Sequence, residues 1–152
     1  MKIVLKGFLY ILFFAMSIGY AIAGIQEVQQ NIINQANEMG VDPAIVLSIA
    51  KTESGFNPNA KSAGGHIGLF QLSPATAKHL GYNPYNVDEN IKAGITYYKN
   101  MYNKFGTTEL AVAAYNAGPI AIQRCNNTIP ARTQPYVNKI MKNYNYYKSQ
   151  GI

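Results

Sequence analysis

Proline openings and glycine stops cut this chain into short segments, and that punctuation constrains its fold more than any other feature. Asp42-Pro43 and Ser73-Pro74 each pair a capping residue with an early proline, and the last helix opens near Thr133 to Pro135; a first helical turn tolerates proline because its N–H would be unbonded anyway. Gly40, Gly55, Gly81 and Gly106 each follow a stretch of helical apolar spacing, where a helix C-terminus favours glycine. Between these marks, Ile25, Val28, Ile32, Ala36 and Met39 predict one helix, and Ile45, Val46, Ile49 and Ala50 the core face of a second that ends near Ser54. Asp88 reads as the cap of a longer helix through Ile91, Ile95, Tyr98 and Tyr102. Thr108 and Glu109 start an apolar segment, Leu110 to Tyr115, which breaks at Asn116-Ala117-Gly118-Pro119. Ile120 to Arg124 fits a short helical turn, and the last helix carries Val137, Ile140, Met141, Tyr144 and Tyr147 on one face. No run of four or more residues alternates as a strand. The expected class is all-α, a single domain of about six or seven short helices.

The N-terminus has a different character. Lys2 and Lys6 precede an apolar run from Gly7 to Ile22, and Ala21-Ile22-Ala23 is a small-x-small cleavage site. Residues 1–23 therefore read as a secretory signal peptide cut between Ala23 and Gly24, leaving 24–152 as the domain, in the periplasm or outside the cell. A retained membrane anchor is the rival reading, but the run is short of the ~20 apolar residues a spanning helix needs. After cleavage no membrane association is expected.

Exported small domains are often stapled by disulfides, yet Cys125 is the only cysteine, so no internal bridge can form and the hydrophobic core must hold the fold alone. Cys125 reads as a small half-buried hydrophobe. His66 and His79 have no Cys or His partner at ligand spacing, so neither a metal nor any other cofactor is expected. The formal charge of +6 favours anionic partners such as an acidic wall polymer. Its basic residues are scattered rather than clustered, which argues against nucleic acid.

One acid stands apart. Glu53 ends the second helix and is followed by the glycine-rich loop Lys61-Ser62-Ala63-Gly64-Gly65-His66-Ile67 and then Gly68-Leu69-Phe70-Gln71. A carboxyl group beside a flexible polar loop is the layout of a general acid acting on a sugar polymer, which must be protonated near neutral pH. The negative end of the helix dipole disfavours a carboxylate in the last turn, and burial under Phe56 or Phe70 pushes the same way. Alone, a helix-end glutamate is a common solvated residue. The other acids, Glu27, Glu38, Asp42, Asp88, Glu89 and Glu109, fit helix starts or exposed faces, so no second carboxylate is expected within ~6.5–9.5 Å of Glu53, the separation an inverting hydrolase uses.

Four separate motifs carry a resemblance. Glu53-Ser54, Ser62, Gly68-Leu69-Phe70-Gln71 and Ala114-Tyr115-Asn116-Ala117-Gly118 stand in the order and spacing of the soluble lytic transglycosylase family, which shares the goose-type lysozyme fold. The chain resembles that family from Asp42 to about Ile140. The resemblance implies a lysozyme-like helical domain around a cleft, cutting the β-1,4 bond between N-acetylmuramic acid and N-acetylglucosamine in peptidoglycan. It implies that Glu53 is the sole acid/base, that the muramyl C6 hydroxyl closes a 1,6-anhydro ring in place of water, and that the muramyl N-acetyl group stabilises the intermediate.

Further roles follow by the same resemblance. Ser62 would contact the substrate N-acetyl group, Tyr115 would orient the glutamate, and Tyr136 would line the cleft. Gly68, Phe70, Gln71 and Asn116 would complete the substrate site. Phe70 stands where many members have methionine and would form an apolar wall; its alternative is core packing. Gln71 would bond sugar or tether its loop to the helix of Glu53. Two other functions stay open: a lysozyme-like hydrolase, and a peptidoglycan-binding assembly factor without activity. The resemblance and the chain's length imply a monomer that opens the wall locally for a secretion, conjugation or pilus machine.

Overall fold

The computed structural model describes residues 22–152. Most of the proposed signal peptide therefore lies outside the described residues. Among the described residues the chain forms seven helices and no strand longer than an isolated bridge. Helix α1 covers 22–38, α2 Pro43–Ser54, α3 Pro74–His79, α4 Val87–Phe105, α5 Thr108–Ala117, α6 Pro119–Arg124 and α7 Gln134–Ser149. None of them is long and apolar enough to cross a membrane.

The central element is α2. Asp42 Oδ1 accepts the Ala44 N–H at 3.0 Å, Pro43 opens the first turn, and Gly55 ends the helix in the left-handed region with its N–H on the Lys51 carbonyl. Every residue from Ala44 to Ala50 is buried, so this helix is enclosed on all sides rather than along the one face its spacing predicted. Ser48 is tolerated there because its hydroxyl donates to the Ala44 carbonyl at 2.6 Å. Helix α7 packs along α2, α5 packs on α7, α4 and α6, and α1 contributes Ile32 and Ala36 to the same core.

Two expectations need correction. Ile25, placed on the core face of α1 by its spacing, is exposed, and the first contact of α1 with the core is Val28. The cap of α4 is Asn86, not Asp88: the Asn86 side chain accepts the Glu89 N–H at 3.0 Å. Asp88 sits two residues on, in the first turn, where its carboxylate complements the helix dipole and accepts from Asn31 and Gln35 of α1. Cys125 is half-buried and free, just past the end of α6.

The loop between α2 and α3 is the one long connection in front of the core. It folds on itself through antiparallel bridges that pair Ile67 with both Lys61 and Leu72. Its inner half, Ile67 to Phe70, is buried, and its tip, 61–66, is exposed. That division gives the molecule a fixed wall and an accessible rim at the end of α2.

Candidate active site

Glu53 emerges in the last turn of α2 and faces an open cleft of about 370 Å³. The loop tip borders the cleft through Ser62 and His66, α4 through Tyr97, and the end of α5 through Tyr115, Asn116, Ala117 and Gly118. Leu72, Ser73 and Thr76 close the side nearest α3.

The carboxyl group is gripped on one oxygen only. Tyr136, in the first turn of α7, donates its hydroxyl to Glu53 Oε1 at 2.5 Å. Burial holds the Glu53 carboxyl above the ordinary glutamate range, because a half-buried carboxylate loses hydration. The Tyr136 hydrogen bond and the electrostatic influence of His66 and Lys139 pull in the other direction without cancelling it. The sequence reading ascribed the shift to the helix end and to burial under Phe56 or Phe70; burial is the larger cause.

Among the described residues, Glu53 is the only acid bordering the cleft. Asp42 is committed to its cap, to the Tyr144 hydroxyl at 3.0 Å and to Lys148 at 3.3 Å. Asp88 is bound to α1, and Glu89 accepts the Asn83 N–H at 2.7 Å. Glu27, Glu38 and Glu109 are exposed on other helices. No group of three or more His, Cys, Asp or Glu is placed to hold a metal among the described residues.

The other residues singled out from sequence divide into two sets. Ser62, Gln71, Tyr115 and Asn116 all border the cleft with Glu53. Gly68 and Phe70 do not, nor does Tyr136, which bonds Glu53 without bordering the cleft. Phe70 has no exposed surface, and its ring lies so close to α4 that a Cβ on Gly94 would sit 2.2 Å from it. It is a core side chain and forms no cleft wall. Gly68 has φ +76, and its bare α-carbon faces Asn90, 2.6 Å from where a Cβ would stand, rather than the cleft.

Two assigned roles move to neighbours. Tyr115 does not bond the glutamate; its hydroxyl donates to the Phe70 carbonyl at 2.8 Å, which locks α5 to the loop. Tyr136 makes the bond to Glu53 instead. Gln71 tethers the loop to itself, donating to the carbonyls of Ala60 at 3.1 Å and Gly68 at 3.0 Å. Those bonds offset the strain of its own left-handed backbone, φ 46. The tether to the helix of Glu53 comes from Ser54, whose hydroxyl donates to the Leu69 carbonyl at 2.9 Å.

Three residues of the site escaped the sequence reading as site residues. Tyr97 borders the cleft and packs edge-on against Tyr115, ring centres 5.0 Å apart. His66 borders it from the loop, although sequence considered it only as a metal ligand. Asn90 is the buried anchor of the loop: it accepts the Phe70 N–H at 3.1 Å and donates to the carbonyls of Ile67 at 3.0 Å and Pro84 at 3.1 Å. An Asn-Ile pair near the start of a helix, twenty residues after Phe70, carries no local signal of that contact, though Asn86-x-x-Glu89 is the spacing of a capping box and marks the helix start.

A family model described as the transglycosylase SLT domain matches residues 30–137, which spans α1 to the first turn of α7 and the whole cleft. The chain belongs to the transglycosylase SLT domain family. Within known SLT proteins it is 37% identical, over 71% of its length, to a transglycosylase of Enterobacteria phage PRD1, of which it covers 39%. It is 35% identical to the soluble lytic murein transglycosylase of Escherichia coli, over 52% of this chain and 14% of that one. The structure superposes with a TM-score of 0.69 on the lytic transglycosylase Slt of Pseudomonas aeruginosa, at 25% identity, covering 80% of this chain and 24% of the other. The same score holds for the 70 kDa soluble lytic transglycosylase of Escherichia coli, at 27% identity over 79% of this chain. The SLT domain here is thus the all-helical, lysozyme-like fold, and the chain spans well under half the length of these relatives.

Proposed function

We propose that this SLT domain is a peptidoglycan lytic transglycosylase with Glu53 as its sole acid/base. The observation that carries the reading is one carboxyl group, alone on the cleft surface, held at one oxygen by Tyr136 and raised by burial above the ordinary glutamate range. With Oε1 occupied by the tyrosine, Oε2 is left to carry the proton.

The reaction then runs without a second carboxylate. Glu53 protonates the glycosidic oxygen between N-acetylmuramic acid and N-acetylglucosamine, and the C1–O bond breaks with its electron pair on the departing sugar. The muramyl acetamido group stabilises the positive charge at C1, one of the substrate-assisted exceptions to two-carboxylate chemistry. The Glu53 carboxylate takes the proton of the C6 hydroxyl, and that oxygen closes on C1 to give the 1,6-anhydro sugar. The glutamate ends protonated, as it began. Ser62, Gln71 and Asn116 supply polar groups around the sugar, and Tyr97 and Tyr115 the aromatic surface of a chain that has no tryptophan.

Digestion of purified peptidoglycan by wild type and by Glu53→Gln, followed by mass analysis, tests the reading. Anhydro-muropeptides from wild type, lost in the variant, support it. Reducing-end products one water heavier replace it with a lysozyme-like hydrolase. Binding without release by wild type replaces it with an assembly factor.

The same reading places the domain outside the cytoplasm once 1–23 are removed. Among the described residues, 22–27 are exposed and the first core contact is Val28, which supports a boundary after Ala23. Local opening of the wall for a secretion, conjugation or pilus machine rests on the family resemblance. Loss of that machine's assembly in a Glu53→Gln strain, restored by wild type, is its test.

A further inference from the structure

A hydroxyl group has one hydrogen to give, and at Ser62 a histidine competes for it. Ser62 and His66 close the loop tip on each other: the Ser62 N–H donates to the His66 carbonyl at 3.1 Å, and the His66 N–H donates to Ser62 Oγ at 3.1 Å. The ring nitrogen Nδ1 of His66 lies 3.2 Å from the same Oγ. Gly64 leaves room for this pairing, since a Cβ there would stand 3.2 Å from Nδ1 and 3.4 Å from Cε1. Both side chains border the cleft with Glu53, and the reaction above gives His66 no task.

With the neutral ring taken as the Nε2–H tautomer, the contacts leave Ser62 two states. One lone pair of Oγ is occupied by the His66 N–H in both. In the neutral ring with its hydrogen on Nε2, the tautomer an O–H donor at Nδ1 selects, Ser62 spends its hydrogen on Nδ1 and offers the cleft only its second lone pair. The imidazolium carries a hydrogen on Nδ1 and gives it to that lone pair, so the Ser62 hydrogen is released toward the cleft. Histidine is the residue type whose charge ordinarily changes between about pH 5 and 8.

We propose that His66 is a positioning residue whose protonation turns Ser62 from acceptor to donor, tightening the hold of the cleft on the acetamido carbonyl of an amino sugar. This rests on reading the cleft as a glycan site. The titratable groups around His66 are Glu53 from α2, Tyr97 from α4 and Tyr115 from α5, with Tyr136 and Lys139 of α7 acting on Glu53, and Lys61 preceding in the loop. The three tyrosines are pushed above their ordinary value by burial and stay neutral across the range. Glu53 is the acid that shares the cleft with His66, so the test is made in a Glu53→Gln background, which removes its charge.

The probe is a tetramer of N-acetylglucosamine, which is uncharged, with affinity measured by calorimetry. From about pH 8 to about pH 5.5, Glu53→Gln should bind it about three- to tenfold more tightly, the gain of one hydrogen bond. Adding His66→Ala should abolish the pH dependence and fix affinity near the tight value. Adding Ser62→Ala instead should leave weak binding, flat with pH, and adding both should match Ser62→Ala. A pH slope that survives His66→Ala, or one that needs His66 but survives Ser62→Ala, overturns the proposal while leaving the glycan site standing. No binding by Glu53→Gln at any pH overturns the glycan reading and this proposal with it. NMR titration of the His66 ring reads the contact without ligand: Ser62→Ala must change the Nδ1 signature, and no change overturns it.

Discussion

The two walls of the cleft are built differently. On the helical side, Glu53 and Tyr136 stand on α2 and α7, two long helices packed along each other, and one hydroxyl fixes one carboxyl oxygen. On the loop side, Ser62, His66 and Gln71 hang on backbone whose shape comes from Asn90, Ser54 and Tyr115, each bonding the peptide groups of Ile67 to Phe70 from a different helix. The helical wall fixes an atom by packing; the loop wall fixes a backbone by buried hydrogen bonds. Mutations should therefore separate cleanly. A polar loss on the loop side should cost stability first, and a polar loss on the helical side should cost chemistry first.

Asn90→Ala gives the largest expected effect. It strips partners from one buried N–H and two carbonyls at once, and unpaired buried groups cost about 1–3 kcal/mol each. A loss of roughly 3–5 kcal/mol, read as a drop of more than ten degrees or so in Tm, is expected, with activity lost as the loop loosens. A variant of near wild-type stability would show that the loop holds itself.

Tyr136→Phe tests the other wall. It removes the donor at Glu53 Oε1 with little change in packing, so Tm should move by only a degree or two while kcat falls by about ten- to a hundredfold, less than the loss of the acid itself would cost. The sign of its pH effect is fixed. The lost hydrogen bond favoured the carboxylate, so its removal raises the Glu53 pKa further, and the alkaline limb of the rate profile should move to higher pH. A limb that moves to lower pH would mean the tyrosine bonds the protonated acid instead.

Tyr115→Phe is the control that divides the walls. Its hydroxyl bonds the Phe70 carbonyl, not Glu53, so about 1–2 kcal/mol of stability should go, with the pH profile unmoved. A shifted profile would restore the role that sequence assigned to Tyr115.

The same division explains what was legible beforehand. The ends of α2 could be read from Asp42-Pro43 and Gly55 because caps are local chemistry, visible within four residues. Glu53 could be read because its helix-end position and the loop behind it are contiguous. Asn90 could not, since its bonds to Phe70 and Ile67 join residues twenty or more positions apart. Phe70 was ambiguous for a similar reason: whether an aromatic after Gly-Leu faces a cleft or a core depends on Gly94, in another helix. Tyr115 and Tyr136 were both found, but which of them reaches Glu53 depends on how α5 and α7 cross, which spacing does not encode.

The smallest effect probes Glu53 itself. Its pKa is raised in the folded protein, so folding favours the protonated form, and the stability linked to this group is fully present below the unfolded value near 4.5 and is lost as pH rises through the folded value. Glu53→Gln keeps the acceptor for Tyr136 and cannot ionise. The variant should therefore melt a few degrees above wild type at neutral pH, and the gain should shrink to nothing once the pH falls below the ordinary glutamate range. The gain has a plain source: a carboxylate that must give up water to stand in the cleft is a cost to the fold that an acid catalyst carries and an amide does not. If the two proteins melt together at every pH, the carboxylate is as well solvated folded as unfolded, and the helical wall has no hold on the proton.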